Sequence, residues 1–251
     1  MKKGTTYKRA EAFALLLIGE PKSGKTTAAL NFPRPFVLDL DNNLSGALRH
    51  HGEDFDMDTL YFENLEGVKP EKKWSAACKV IEEACNSPEI DTIVIDGISI
   101  LAELLQTHIL ANTQRDSSQS DLVIAGEKCM QMNHWTPFKN LMSRLIMACK
   151  ASGKKVVALC HEETLMSPSG AVIGYRPMIQ GALKHNLAGY FTDVWRCETS
   201  IRAKVSTYKL RFAAKSMMQI GNSLGIKDVD YDLTDKTCKS VWPYLEKFFN
   251  K

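Results

Sequence analysis

No apolar run in these 251 residues approaches the roughly 20 positions that a membrane-spanning helix needs. The N-terminus, Met1-Lys2-Lys3-Gly4-Thr5-Thr6-Tyr7, is basic but leads into no signal-peptide core, since Phe13–Ile18 is too short. The seven cysteines form no C-x-x-C pair, and no Cys/His cluster has zinc-ligand spacing. They read as reduced, buried small hydrophobes, and a cytoplasmic location is expected. No internal repeat is present, which argues against solenoids and propellers. What remains is a composition 44% hydrophobic and 24% charged, suited to one globular domain with a large core. The net charge of +3 says little, but its distribution says more. An acidic stretch covers Glu53, Asp54, Asp56, Asp58, Glu63 and Glu66. A basic one covers Arg196, Arg202, Lys204, Lys209, Arg211 and Lys215, against Glu198. Both read as solvated faces, the basic one alternatively as a contact for nucleic-acid or nucleotide phosphates.

One segment is far more specific. Gly19-Glu20-Pro21-Lys22-Ser23-Gly24-Lys25-Thr26 has the form G-x-x-x-x-G-K-[ST], and it follows the apolar run Phe13–Ile18. Thr27-Ala28-Ala29-Leu30 then opens a helix, so the motif has the strand, loop and helix it requires. Backbone N–H groups of such a loop converge on phosphates, and the two glycines permit the close approach. Lys25 supplies a point charge for the β- and γ-phosphates of ATP, and Thr26 a hydroxyl for Mg²⁺.

Strands and helices alternate after it. Phe36–Leu40, Thr92–Ile95 and Lys155–Cys160 read as buried strands. Lys25–Phe32, Trp74–Cys85 and Ile98–Leu110 read as helices, and Thr136-Pro137 as the capped start of another that Gly153 closes. Phe191–Cys197 and Ser206–Phe212 read as antiparallel strands, and Trp242, Leu245, Phe248 and Phe249 as the docking face of a last helix. The fold class is therefore a three-layer α/β domain with a mostly parallel sheet and antiparallel C-terminal strands. It divides into an extension at 1–12, a core at 13–215 and a tail at 216–251. Thr113–Asp121 and Glu162–Gln180 read as long polar loops, functional or merely superficial.

The remaining site residues follow from strand ends. Asp96 ends an apolar strand at the sheet edge where ligands bind, as a Mg²⁺-holding carboxylate does. Asp91 sits at the opposite end of that strand. Asp39 and Asp41 alternate onto one side after the second strand, as water-activating carboxylates or as parts of a turn and cap. His161 and Glu162 end the fourth strand, where His161 faces the γ-phosphate or is structural.

With these motifs in that order, Gly19–Thr26, Phe36–Asp41, Ile93–Asp96 and Val156–Glu162, the chain resembles the RecA-like P-loop ATPases. It looks closest to the compact phage-encoded recombination proteins of the Sak type, over about residues 12 to 215. The resemblance implies Lys25, Asp41, Asp96 and His161 as catalytic residues, with Asp41 where the family has Glu. It implies that Gly19 through Thr27 (Gly19, Glu20, Pro21, Lys22, Ser23, Gly24, Lys25, Thr26, Thr27) hold ATP, and that Thr26 and Asp96 hold Mg²⁺. Thr113–Glu127 and Glu163–Gln180 correspond to the DNA-facing loops, with Arg115, Lys128, Arg176 and Lys184 as cations and Tyr175 either stacking on a base or packing its loop. Arg211 and Lys215 fall near residues that reach a neighbouring subunit's ATP, and Tyr7-Lys8-Arg9-Ala10 has the form of a subunit-docking arm. The implied protein is a DNA-dependent ATPase on single-stranded DNA, a ring or filament of identical subunits that anneals or exchanges strands in a bacterial host, with a single-strand-binding protein as a further partner. Two alternatives stand beside it: a P-loop small-molecule kinase, and an ATP-switched docking protein for replication or packaging with little turnover.

Overall fold

The computed structural model describes residues 13–113, 122–181, 183–202, 205–213 and 220–249. In chain order the elements are β1 (Ala14–Gly19), α1 (Lys25–Ala29), β2 (Pro35–Asp39), α2 (Leu44–His51), β3 (Tyr61–Glu63), α3 (Pro70–Asn86), β4 (Thr92–Asp96) and α4 (Ile98–Asn112). They continue with β5 (Val123–Ile124), β6 (Glu127–Lys128), α5 (Trp135–Ala151), β7 (Lys155–Met166), β8 (Val172–Pro177), α6 (Leu183–Asn186), β9 (Asp193–Arg202), β10 (Val205–Arg211), β11 (Asp230–Asp232) and α7 (Cys238–Phe249).

Strand alternation builds the layers. Along β1, Ala14, Leu16 and Ile18 face the core under α3, α4 and α5, whereas Leu15 and Leu17 face the one under α1, α2 and α7. Both faces are covered, which is why β1 and β4 are apolar runs rather than alternating ones. The strand order is β11-β10-β9-β1-β7-β4-β2-β3, with β8 paired to β7. Neighbours from β9 to β3 are parallel, and β8, β10 and β11 are antiparallel to their partners. The expected fold class is the one observed.

Five local expectations change. Glu162–Gln180 is no loop over most of its length: Glu162–Met166 continues β7 and pairs with β8 as a hairpin. Its Pro168 and Gly170 punctuate only the turn, where Ser167 and Ala171 close the ladder and Gly170 adopts φ 80°. β9 runs parallel to β1 rather than antiparallel, and only β10 reverses direction beside it. α5 starts at Trp135, earlier than the Thr136 cap, because a tight turn at Met132–His134 with reciprocal Gln131–His134 capping leads straight into it. α1 ends at Ala29, and the chain tightens through Asn31→Ala28 and Phe32→Ala29 bonds before Pro33. Of the expected DNA-facing loop Thr113–Glu127, residues 114–121 lie outside the described residues, and its end with Lys128 forms a small hairpin turning at Ala125 and Gly126, both at positive φ as a type I′ turn demands.

The last helix docks as its aromatic pattern suggests. Phe249 packs edge-on to Phe13, with ring centroids 4.8 Å apart, and Trp242 lies against Phe32. Asp91, at the opposite sheet edge, forms a bidentate surface pair with Arg34.

Candidate functional site

β1 stops at Gly19, flanked in register by His161 of β7 and Cys197 of β9, so the chain leaves the sheet there in a tight turn. A Cβ at Gly19 would lie 2.5 Å from Ser23 Oγ and 2.6 Å from the Cys197 carbonyl oxygen, which explains the glycine. Gly24 has φ 85° and precedes α1. The first N–H groups of α1 have no earlier helical partner, as at any helix start. Lys25 folds back: its Nζ donates to the carbonyls of Gly19 at 3.0 Å and Glu20 at 2.8 Å, and lies 3.3 Å from His161 Nδ1. Thr26 Oγ1 donates to Asp96 Oδ2 at 2.7 Å.

The carboxylates part ways. Asp39 accepts the backbone N–H groups of Asn43 and Leu44 and so fixes the start of α2. Asp41 instead faces the loop, with its Oδ2 3.5 Å from His161 Nε2. Because Lys25 donates to Nδ1, the imidazole proton sits on Nε2 and points at Asp41. Burial and then the Lys25 charge push the His161 pKa down, so the ring is neutral at pH 7 despite Asp41. Burial, followed by the Asp41 and Asp39 charges, pushes the Asp96 carboxyl up to about 7, against the Thr26 hydroxyl and Lys25.

A raised carboxyl pKa means the folded chain holds a proton that the unfolded chain releases, so Asp96 withdraws stability as pH rises from about 4 to 7. Without metal or nucleotide, Asp96→Asn is therefore expected to melt higher than the wild type at pH 8 and to lose that advantage at pH 5. Thermal melts at the two pH values check this.

A cavity of about 340 Å³ opens over the loop. Lys22, Lys25, Thr26, Asp41, Asp96 and His161 line its charged end. Gly46, Ala47 and His50 of α2, with Tyr208 and Leu233, line the other. None of these five was expected from the sequence, and only Gly46, an isolated glycine inside a helical pattern, gave a local signal. The donor set fits a nucleoside triphosphate with a divalent cation: a buried ammonium free of any carboxylate bond, a hydroxyl–carboxylate pair, and a loop whose Gly19 has no room for a Cβ and whose Gly24 takes a positive φ.

A family model described as an AAA domain matches residues 11–224. The chain belongs to that family. It is a nucleotide-binding P-loop ATPase of AAA type. A comparison with curated proteins finds no match. Among the described residues, no helix is long and apolar enough to cross a membrane.

The other expected residues lie away from the cavity. Tyr175 is stacked under the Arg196 guanidinium, 3.7 Å from ring centroid to Cζ, so its ring packs within the fold. Arg176 pairs with Glu163 across the β7–β8 hairpin. Lys128 stands on β6 and Lys184 on α6. Arg211 Nη2 donates to Glu198 at 2.7 Å, and Lys209 pairs with Asp230, so this part of the basic stretch is internally matched rather than free for phosphates. Arg115, Lys215 and Tyr7–Ala10 lie outside the described residues.

Proposed function

We propose that the protein is a RecA-like ATPase acting on single-stranded DNA, of the kind phages use for annealing or strand exchange, working as a homo-oligomer in the host cytoplasm. One observation carries this reading. β7 is a single 12-residue strand whose first half lies in the sheet and whose second half projects beyond it as a hairpin, with His161 near the junction. Nucleotide site and projecting hairpin thus share one strand, and the short β5–β6 hairpin stands as a second excursion. Exposed apolar side chains at Met166, Val172 and Ile173 near the hairpin tip suit contact with unstacked bases.

In this reading bound Mg²⁺–ATP supplies the electrophilic γ-phosphoryl group and the cation that offsets its charge. Lys25 exchanges its carbonyl partners for phosphate oxygens. Thr26 and Asp96 hold the cation. Asp41 orients the attacking water and takes its proton, and His161, released by Lys25, feels the γ-phosphate region and transmits its state along β7.

Filter binding to single-stranded DNA with and without ATP, and ATP turnover with and without DNA, test the proposal. ATP-strengthened DNA binding and DNA-stimulated turnover are expected, and no DNA binding in either state refutes it. A narrower test concerns Asp41. Gly97 has φ 96°, and a Cβ there would lie 2.8 Å from Asp41 Oδ1. Gly97→Ala is expected to displace that carboxylate and slow turnover on the order of 100-fold with ATP affinity kept. Steady-state kinetics beside equilibrium titration separate the two quantities.

A further inference from the structure

The cavity does not end with the phosphate loop. Its lining also includes Gly46, Ala47 and His50 of α2 together with Tyr208 and Leu233, and the His50 bond to the Lys236 carbonyl ties α2 to the chain that follows β11. We propose that this far end seats the purine base of the nucleoside triphosphate, with the Tyr208 ring as its stacking platform. The inference deepens the nucleotide-binding reading and is independent of any DNA activity.

Three features support it. First, the cavity is chemically divided. Its charged groups gather at Lys25, Asp41 and Asp96, while Ala47, Leu233 and the Tyr208 ring line the other end. A triphosphate with an apolar, π-faced base has the same division, and the volume of about 340 Å³ falls in the range of small-molecule sites.

Second, Tyr208 is held in place before any ligand arrives. Its N–H donates to Thr234 Oγ1 at 2.9 Å, and its carbonyl accepts the Leu233 N–H at 2.8 Å. The ring edge lies 3.5 Å from where a Gly24 Cβ would stand, so it abuts the phosphate loop itself. Its phenol hydroxyl has no hydrogen-bond partner among the described residues. The half-buried ring also packs against the core under α1, α2 and α7, so it loses little freedom when a base covers it.

Third, the facing wall is kept low. Gly46 sits inside α2, a position where glycine is unfavourable for the helix, yet a Cβ there meets nothing within 4 Å. No close backbone approach accounts for the glycine. The open space it leaves is cavity. His50 closes the end of this wall, anchored by its Nε2 to the Lys236 carbonyl at 2.9 Å.

The test compares two ligands on the full chain by calorimetric titration with Mg²⁺ present: ATP, and inorganic tripolyphosphate, which has the phosphates without the base. Tyr208→Ala is expected to weaken ATP binding about tenfold or more and leave tripolyphosphate unchanged. Tyr208→Phe is expected to stay within about twofold of the wild type for both, since it keeps the ring. Gly46→Leu, which fills the open space and suits the helix, is expected to abolish the advantage of ATP over tripolyphosphate. Wild-type ATP affinity in both Tyr208→Ala and Gly46→Leu overturns the proposal. So does an equal loss of both ligands in either variant, because that reports a disturbed phosphate loop. Failure of the wild-type chain to bind either ligand refutes the nucleotide site itself, and the base seat with it.

Discussion

Lys25→Met is expected to lower ATP turnover more than about 100-fold while leaving the melting temperature nearly unchanged. The loss follows from removing the buried ammonium that lines the charged end of the cavity, and single preorganised charge contacts of this kind are worth about 100- to 1000-fold. The stability side is less obvious. Burial lowers the Lys25 pKa despite the nearby Asp96 and Asp41 charges, so the ligand-free fold disfavours the charged form. That cost is fully present below the lowered pKa and vanishes as pH rises past the free value of 10.5. A neutral side chain of similar size relieves it at pH 7. The Gly19 and Glu20 carbonyls lose a donor in exchange. The two effects oppose each other, and a net change within about 1 kcal/mol, roughly 2–4 °C, is expected. Coupled-assay kinetics and a thermal melt of the same preparation check both halves. A steep drop in melting temperature would mean the lysine is structural.

The largest stability effect is expected at Arg196. Its Nε and Nη2 donate to the two Glu162 carboxylate oxygens at 2.7 and 2.6 Å, and Nη1 reaches Glu198. Glu162 has no exposed side-chain surface, and the Arg196 side chain is 9% exposed. Burial acts to lower the Arg196 pKa, but the bonds and charge of Glu162 outweigh it, and the guanidinium pKa is raised. Removing one member of such a pair strands the other, at a cost of about 3–5 kcal/mol. Arg196→Met leaves Glu162 buried with no cation bonded to it, so the melting temperature should fall by roughly 6–20 °C. The stranded carboxyl can take up a proton, so the deficit should be smaller at pH 5 than at pH 8. The double variant Glu162→Leu with Arg196→Met should recover most of the loss, and the double-mutant cycle gives the coupling directly. If the loss in the double variant equals the sum of the losses in the two single variants, the pair is not coupled.

The charged end of the site could be read from the sequence because each of its residues follows an apolar strand. Asp96, Asp41 and His161 all stand at or just past the carboxyl end of a run whose burial pattern is local. Asp39 and Asp41 looked equivalent by alternation, and only the start of α2 separates them, because its first N–H groups bond to Asp39. The β7–β8 hairpin was hidden because its turn residues, Pro168 and Gly170, resemble those of a long loop, and the pairing of Thr164 with Tyr175 is a register rather than a motif. The apolar end of the cavity was unreadable for a different reason. Tyr208 reaches Gly24 only through the placement of β10 next to β9 and β9 next to β1, which is a property of sheet order. The same order sets Arg196 and Arg211 of the basic stretch opposite each other, where they share Glu198.

β7 crosses from the middle of a two-sided core to a hairpin with one neighbour, and that change has a kinetic signature. The amides from Val156 to Cys160 sit between β1 and β4 under buried residues, so their hydrogens exchange with solvent only when the whole domain opens. Those from Glu163 to Met166 are paired with β8 alone and carry exposed or half-buried side chains, so a local fraying of the hairpin is enough to release them. A single strand should therefore show two protection classes, with the step at His161 and Glu162, and ligand occupancy of the cavity should be readable as a shift in that step.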